Sequence, residues 1–191
     1  MERTAIVSGF GGQGILFAGT VLARAAMAEG LEVFWIPSYG PEMRGGAAAC
    51  TVIVGDGPIG SPVVDRADVV IALSAPALER YGRVVADDGL LIVDGSMATP
   101  THDGGGVEVV APPCTQLARA AGDDRLVSIV ALGALAARST IPGADAIRQA
   151  VRDVVGAKHP ETLEADLRAF EAGLAAGGVA GEVDGKVPAR A

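Results

Sequence analysis

The residues with the clearest chemical potential form a glycine-rich stretch, GFGGQG, at positions 9–14. It follows a short apolar run at residues 4–8 and precedes a helical pattern, which is the setting of the G-x-G-x-x-G dinucleotide fingerprint. Glycines permit positive φ angles, and the free N–H groups at the start of a helix favour an anion. The candidate ligand-binding residues of this loop are Gly11, Gly12, Gln13 and Gly14.

The second predicted strand disfavours a nicotinamide cofactor at this loop. A dinucleotide-binding Rossmann domain has an Asp or Glu at the carboxyl end of that strand, where it binds the ribose. Here the end reads WIPS at residues 35–38, and Glu32 stands at the opposite end of the strand. Two interpretations of the loop stay open: a site for another phosphate-bearing ligand, and a purely structural tight turn.

A second loop, SYGPEMRGG at residues 38–46, offers a hydroxyl, a phenol, a carboxylate and a guanidinium. It begins at the carboxyl end of the second strand, the edge where open α/β sheets bind ligands. A guanidinium can form a two-pronged pair with a carboxylate or a phosphate. Alternatively, the charges are solvated and the glycines only turn the chain. The candidate residues are Ser38, Tyr39, Glu42, Arg44, Gly45 and Gly46.

The elements that must position these loops alternate along the chain. Strands are expected at residues 4–8, 33–36, 48–54, 68–73, 90–93 and 107–110, and Pro37 is expected to stop the second. Helices are expected at residues 15–28, 77–85, 115–121, 126–138, 144–155 and 161–176. Strands that are apolar on both faces and alternate with helices predict an α/β fold. We expect a mainly parallel open sheet with helices on both faces, a Rossmann-like first βαβ unit and a helical C-terminal part.

Two features of the C-terminal part each have two interpretations. The helix at residues 126–137 is apolar on every side, so it is either the core helix of the domain or a contact with another subunit. Lys158 stands at a helix junction, where it either meets a phosphate or is an exposed helix-end lysine.

Composition excludes several classes of function. The net charge is −8 and the 15 cations are dispersed, so nucleic-acid binding is not expected. No apolar run is long enough to span a bilayer, and we expect a cytoplasmic protein. Cys50 and Cys114 stand far apart, which predicts free buried thiols and no metal site. The two histidines have no recognisable Ser or Cys partner, so no catalytic residue is assigned.

Several motifs together resemble the gamma subunit of 2-oxoacid:ferredoxin (acceptor) oxidoreductases. They are GFGGQG with the ILFAG that follows it, the loop at 38–46, CTVIV at 50–54, PIGSPVV at 58–64, ALGA at 131–134 and AFEAG at 169–173. The sequence YGPEMRGG within this loop is most similar to the 2-oxoglutarate and 2-oxoisovalerate branches of the family. The sequence contains no asparagine, and Ser128 and Asp166 occupy positions where the family often has one.

The resemblance implies a single gamma-type catalytic domain at residues 1–176, and the glycine-rich residues 177–191 are expected to form a flexible tail. It implies a reaction in which a 2-oxoacid and coenzyme A give acyl-CoA and carbon dioxide, with electrons passing to ferredoxin. Thiamine diphosphate, Mg and iron–sulfur clusters would belong to the partners, namely alpha and beta (thiamine-binding) subunits and a ferredoxin-like subunit. This chain would bind none of them alone.

The same resemblance implies that the chain completes and covers the active site and helps to receive coenzyme A through the two glycine-bearing loops. Two alternatives stay open. The chain could be an interaction subunit of the same complex without ligand contact, or a free-standing nucleotide-binding protein.

Overall fold

A six-stranded sheet in the order β2-β3-β1-β4-β5-β6 lies at the centre of the fold. The computed structural model describes residues 1–38, 47–97, 106–139 and 142–178. Within them the strands are β1 (Glu2–Phe10), β2 (Glu32–Ser38), β3 (Ala47–Gly55), β4 (Ala67–Ala72), β5 (Val85–Val93) and β6 (Glu108–Val110). β1, β4, β5 and β6 pair in parallel, whereas β3 is antiparallel to both of its neighbours. The predicted mainly parallel sheet is confirmed.

The direction of β3 determines where the strand ends lie. Because β3 is antiparallel to β1 and to β2, these two strands run in the same direction. The carboxyl ends of β1, β2, β4 and β5 therefore share one edge of the sheet. The first βαβ unit is Rossmann-like in its order, but β3 lies between its two strands.

Helices cover the two faces of the sheet unequally. They are α1 (Ile15–Ala28), α2 (Ala75–Tyr81), α3 (Cys114–Ala121), α4 (Val127–Ala136), α5 (Ala144–Lys158) and α6 (Leu163–Gly178). On one face Ala77 of α2 belongs to a small core that includes Ile6, Val70 and Val93. On the other face the remaining helices enclose a larger core around Val7 and Ile71. The prediction of helices on both faces and of a helical C-terminal part is confirmed.

The expectation that Pro37 stops the second strand is wrong. β2 continues through Pro37, which lies opposite Cys50, and ends at Ser38. β2 is at the edge of the sheet and pairs only with β3. An edge strand tolerates proline because the missing N–H can lie on the side without a partner strand.

Helix α4 is the core helix of the domain. All ten of its residues are buried, which settles the choice between a core helix and a subunit contact in favour of the core. It packs directly on α6, where glycines replace side chains. A Cβ at Gly173 would collide with the carbonyl oxygen of Val130, and one at Gly177 would lie 2.6 Å from the Cα of Ala134. Because the two contacts advance together along both helices, α4 and α6 run in the same direction.

Substitution of Gly173 by alanine should disrupt this helix pair. The new methyl group meets backbone, which cannot rotate away, so we expect Gly173→Ala to lower the free energy of unfolding by roughly 3 kcal/mol. Gly156→Ala in α5 is the matched control, because nothing lies within 4 Å of its Cβ position. There the better helix propensity of alanine should raise the stability by roughly 0.5–1 kcal/mol. Urea unfolding measures both, and equal effects would contradict the described contact.

Candidate functional site

The glycine loop between β1 and α1 is held in place by the side chain of Gln13. The N–H of Phe10 donates to Gln13 Oε1 at 2.6 Å, and Gln13 Nε2 donates to the carbonyl of Leu73 at 3.0 Å. Leu73 directly follows β4, so the amide of Gln13 ties the loop to the neighbouring strand end. Both ends of the amide are engaged with backbone, and in this structure Gln13 positions the loop.

Two glycines of the loop have the conformation that only glycine adopts easily. Gly12 has φ of 91° and Gly14 has φ of 77°. Gly14 is the N-cap residue of α1, and the first turn of the helix contains no acidic residue. Among the described residues no side chain caps the first backbone N–H groups of α1. Such an end attracts anions.

The second predicted loop starts and ends beside the glycine loop. Ser38 at the end of β2 pairs with Ala49, and Ala47 at the start of β3 pairs with Phe10. Residues 39–46 lie outside the described part of the chain, and with them Tyr39, Glu42, Arg44, Gly45 and Gly46. The structure thus brings the starting points of the two loops together at one edge, as the sequence predicted.

A cleft of about 670 Å³ lies behind the glycine loop. The start of α1, the connection from α3 to α4, the end of α5 and the start of α6 form its walls. Its lining includes Gly12, Gly14, Ser128, Lys158 and Asp166. We call it the helix-end cleft. Lys158, which the sequence left open between two roles, therefore lies in the wall of the same cleft as the glycine loop.

Ser128 and Asp166, the two positions where the family often has asparagine, both line this cleft. Ser128 Oγ and Asp166 Oδ2 are buried and have no hydrogen-bond partner among the described residues. Ser128 Oγ lies 2.5 Å from the position that a Cβ on Gly14 would occupy. Burial raises the pKa of the Asp166 carboxyl group, and the negative charge of Asp123 adds to the shift. Buried polar atoms without partners are rare in native proteins.

One buried carboxylate at the same sheet edge escaped the sequence analysis. Asp94 follows β5 and is fully buried. It accepts a hydrogen bond from the N–H of Ser96 at 3.0 Å, and the hydroxyl of Thr115 donates to its Oδ2 at 2.5 Å. Asp94 thereby joins the segment after β5 to the start of α3. A carboxylate placed directly after the apolar run LLIV was the available signal.

The two cysteines are free and buried, as predicted. Burial raises the pKa of the Cys50 thiol to about 11. The pKa of Cys114 is raised still further, first by burial and then by the nearby charge of Asp94. Both thiols are therefore protonated at neutral pH, which makes them poor nucleophiles and poor metal ligands.

Residues 1–38, 47–97, 106–139 and 142–178 contain neither a metal-binding cluster nor a membrane-spanning helix. No group of three or more His, Cys, Asp or Glu side chains there could hold a metal ion. Nor does any helix in these ranges have the length and apolar character needed to cross a membrane.

Comparison with known proteins places the whole described fold in one family. The profile of the pyruvate ferredoxin/flavodoxin oxidoreductase family matches residues 4–176. The chain belongs to this family. The match begins in β1 and ends in α6, so it includes both glycine-bearing loops and every wall of the helix-end cleft.

Three family members show how this domain occurs elsewhere. The ketoisovalerate oxidoreductase subunit VorA of Methanothermobacter thermautotrophicus is 38% identical over 169 residues, which are 87% of this chain and 35% of that protein. The gamma subunit of keto/oxoacid ferredoxin oxidoreductase from Geobacter sulfurreducens superposes with a TM-score of 0.79 at 32% identity, over 92% of this chain and 98% of that one. The third is the 2-oxoglutarate:ferredoxin oxidoreductase of Magnetococcus marinus, solved with 2-oxoglutarate, coenzyme A and succinyl-CoA bound. It has a TM-score of 0.81 at 28% identity, over 92% of this chain and 31% of that chain.

These matches confirm the resemblance drawn from the motifs, including its 2-oxoglutarate and ketoisovalerate branches. The chain spans about a third of the length of the VorA relative, and nearly all of the Geobacter gamma subunit. The same domain is thus a separate chain in one family member and part of a longer chain in another.

Substitution of Gly14 by alanine should test the contact between the glycine loop and α4. Gly12→Ala meets only backbone strain, because nothing lies near its Cβ position, and should cost about 1 kcal/mol of stability. Gly14→Ala adds a clash with Ser128 Oγ and should cost roughly 1–2 kcal/mol more. The loss of stability in the double variant Gly14→Ala/Ser128→Ala should fall back towards the loss in Gly12→Ala, because the clash with Ser128 Oγ is removed. Urea unfolding of all four variants, including Ser128→Ala alone, gives the coupling energy, and strict additivity would refute the contact.

Asp166 should make stability depend on pH. A carboxyl group whose pKa is raised on folding binds protons more readily in the native state, so stability is lost as pH rises through the folded pKa. We expect Asp166→Asn to be more stable than the parent at pH 7, with an advantage that shrinks towards pH of about 4. Asp65→Asn, at an exposed residue, is the matched control. An advantage for Asp166→Asn that does not change with pH would contradict this prediction.

Proposed function

We propose that the chain is the gamma subunit of a multi-subunit 2-oxoacid:acceptor oxidoreductase. It completes and covers an active site built by partner subunits and helps to receive coenzyme A. The observation that carries the proposal is the match to the Geobacter gamma subunit, because the two chains correspond over nearly their whole lengths. In this proposal the domain supplies one component of the enzyme and is not active alone.

The proposed reaction converts a 2-oxoacid and coenzyme A to acyl-CoA and carbon dioxide, with electrons passing to ferredoxin. Thiamine diphosphate, Mg and the iron–sulfur clusters belong to the partners, namely alpha and beta subunits and a ferredoxin-like subunit. The relatives named for ketoisovalerate and 2-oxoglutarate favour substrates of those two branches. A cytoplasmic location suits the two free thiols, since thiols stay reduced there.

The two loops at the carboxyl edge of the sheet are the proposed site for coenzyme A. The first loop offers Gly11, Gly12 and Gly14 with the uncapped start of α1, a backbone arrangement suited to a phosphate. The second starts at Ser38 beside it and supplies Tyr39, Glu42, Arg44, Gly45 and Gly46. Gln13 contributes by holding the first loop. The Magnetococcus enzyme, which was solved with coenzyme A bound, supports the choice of coenzyme A as the ligand.

Arg44→Ala should raise the coenzyme A requirement of the assembled enzyme. A guanidinium on a phosphate supplies charge-assisted hydrogen bonds of roughly 1.5–3 kcal/mol, so coenzyme A binding should weaken about 10- to 150-fold. Decarboxylation of the 2-oxoacid, which precedes coenzyme A binding, should be nearly unchanged. Arg44→Lys should restore binding only in part, because lysine keeps the charge and loses the fork. Kinetics with and without coenzyme A on one co-purified complex measure both steps.

The control and the competing outcome separate ligand contact from assembly. Arg83→Ala removes an exposed cation at the opposite edge of the sheet and should leave both steps unchanged. If Arg44 pairs only with a carboxylate of a partner subunit, Arg44→Ala should assemble poorly and lose both half-reactions together. Unchanged coenzyme A saturation in a fully assembled Arg44→Ala complex would refute the contact. Failure of the tagged chain to co-purify with a thiamine-binding subunit would refute the gamma-subunit proposal itself.

A further inference from the structure

A second cavity lies at the amino edge of the parallel strands, which is the edge opposite the glycine loop. It is enclosed between strands β1, β3, β4, β5 and β6 on one side and helices α1 and α4 on the other. Its volume is about 230 Å³. This is the volume of roughly eight liquid water molecules, so a small organic molecule fits. We call it the amino-edge cavity, and it shares no lining residue with the helix-end cleft.

The inner wall of the amino-edge cavity is apolar. It consists of core side chains that are at most 8% exposed, namely Leu22, Val52, Val54, Leu90 and Leu135. The part of a ligand that reaches this wall must be apolar, because a polar group there would lose its hydrogen bonds to water. Each methylene group that the wall removes from water should tighten binding about 4-fold.

The mouth of the cavity carries charges of both signs, on side chains that are partly exposed to solvent. Arg3 Nη1 lies 3.1 Å from Asp68 Oδ1, and Arg138 Nη1 lies 3.0 Å from Glu108 Oε1. Arg138 Nε also donates to the carbonyl of Gly177 at 2.7 Å. Because a guanidinium has five N–H donors, both arginines keep donors that a carboxylate of a ligand can use.

Asp88 adds a carboxylate to the same mouth. Its neighbour Asp87 pairs with Arg66 at 3.4 Å, whereas the exposed Asp88 makes no ion pair in the part of the chain that the structure describes. With φ of 63°, Asp88 is also the one non-glycine residue with positive φ among the described residues. Such a conformation costs energy, and residues that retain it cluster at functional positions. Asp88 can therefore accept hydrogen bonds from a cationic group of a ligand.

We infer that the amino-edge cavity binds an α-amino acid with a small apolar side chain. The side chain occupies the apolar inner wall, the ammonium group contacts Asp88, and the carboxylate accepts from the N–H donors that Arg3 and Arg138 keep free. An aliphatic amine would leave these donors unused, and an aliphatic carboxylate would leave Asp88 without a partner. The inference does not rest on the proposed function, because the cavity lies at the edge of the sheet opposite both glycine-bearing loops.

Calorimetric titration of the full chain with L-leucine tests the cavity. Asp88→Asn should weaken leucine binding about 10-fold or more, because a charge-assisted hydrogen bond is lost. Asparagine tolerates positive φ as aspartate does, so the backbone should keep its conformation. Asp87→Asn is the matched control, because it removes the same charge from the neighbouring residue, which does not line the cavity, and it should leave binding unchanged. Both residues are exposed, so both variants should fold, which circular dichroism checks.

Three further ligands test the contacts separately. Isopentylamine lacks the carboxylate of leucine and isocaproate lacks its ammonium group, so each should bind at least about 10-fold more weakly than leucine. Asp88→Asn should weaken the binding of isopentylamine and leave that of isocaproate unchanged. Alanine, which lacks three carbons of the leucine side chain, should bind about 50-fold more weakly than leucine.

The outcomes that would contradict the inference are equally specific. Absence of leucine binding, or equal losses in Asp88→Asn and Asp87→Asn, overturns the site. Binding of isopentylamine or isocaproate as tight as that of leucine overturns the amino-acid class. Binding of alanine as tight as that of leucine shows that the apolar inner wall is not used, and also overturns the inference.

Discussion

The direct backbone contact between α4 and α6 is the constraint on which the rest of the candidate site depends. Two helices approach this closely only where glycine removes the side chain, as at Gly133, Gly173 and Gly177. Because α4 and α6 run in the same direction, their amino ends come to lie side by side. Ser128 then lies against Gly14 of the glycine loop, and Asp166 lies at the same cleft. A looser helix pair would separate these groups and open the core beneath the loop.

The topology of the sheet also determines the geometry of the candidate site. The antiparallel β3 allows β1 and β2 to point the same way without being neighbours, so both glycine-bearing loops leave the same edge. Gln13 then fixes the first loop to the end of β4, and Asp94 fixes the segment after β5 to the start of α3. Hydrogen bonds between these polar side chains and the backbone hold this edge in place. Its glycines leave the backbone accessible, because they carry no side chain.

Much of the fold could be predicted from local patterns, because those patterns report burial. The helix expected at Ile15–Ala28 has those bounds in the structure, since its apolar period is bordered by glycines. Strand ends were less predictable. Pro37 lies inside β2 because β2 is an edge strand. β5 begins at Val85, which pairs with Ala67, and its two aspartates fall in a register shift before the ladder resumes at Leu90. Strand order is set by contacts distant in sequence, which no local pattern contains.

The candidate site likewise combines features that local sequence predicts with features that depend on contacts distant in sequence. The glycine loop is recognisable in the sequence because its spacing is local, and Ser128 and Asp166 stand out only as positions where the family often has asparagine. Their meeting in one cleft depends on the direction of α6 relative to α4, which follows from glycine contacts about forty residues apart. Asp94 cannot be predicted from the sequence in this way, because a carboxylate that begins a loop has the same local pattern whether it is buried or solvated.

The position of β2 at the edge of the sheet has a consequence for where the sheet opens first. β3 is held by two ladders, one with β1 and one with β2, whereas β2 has only its ladder with β3 from Glu32 to Ser38. None of the seven residues of β2 is buried. With one partner strand and few buried contacts, β2 belongs to the part of the fold with the lowest local stability. Its loss would leave β3 paired with β1 and the glycine loop in place.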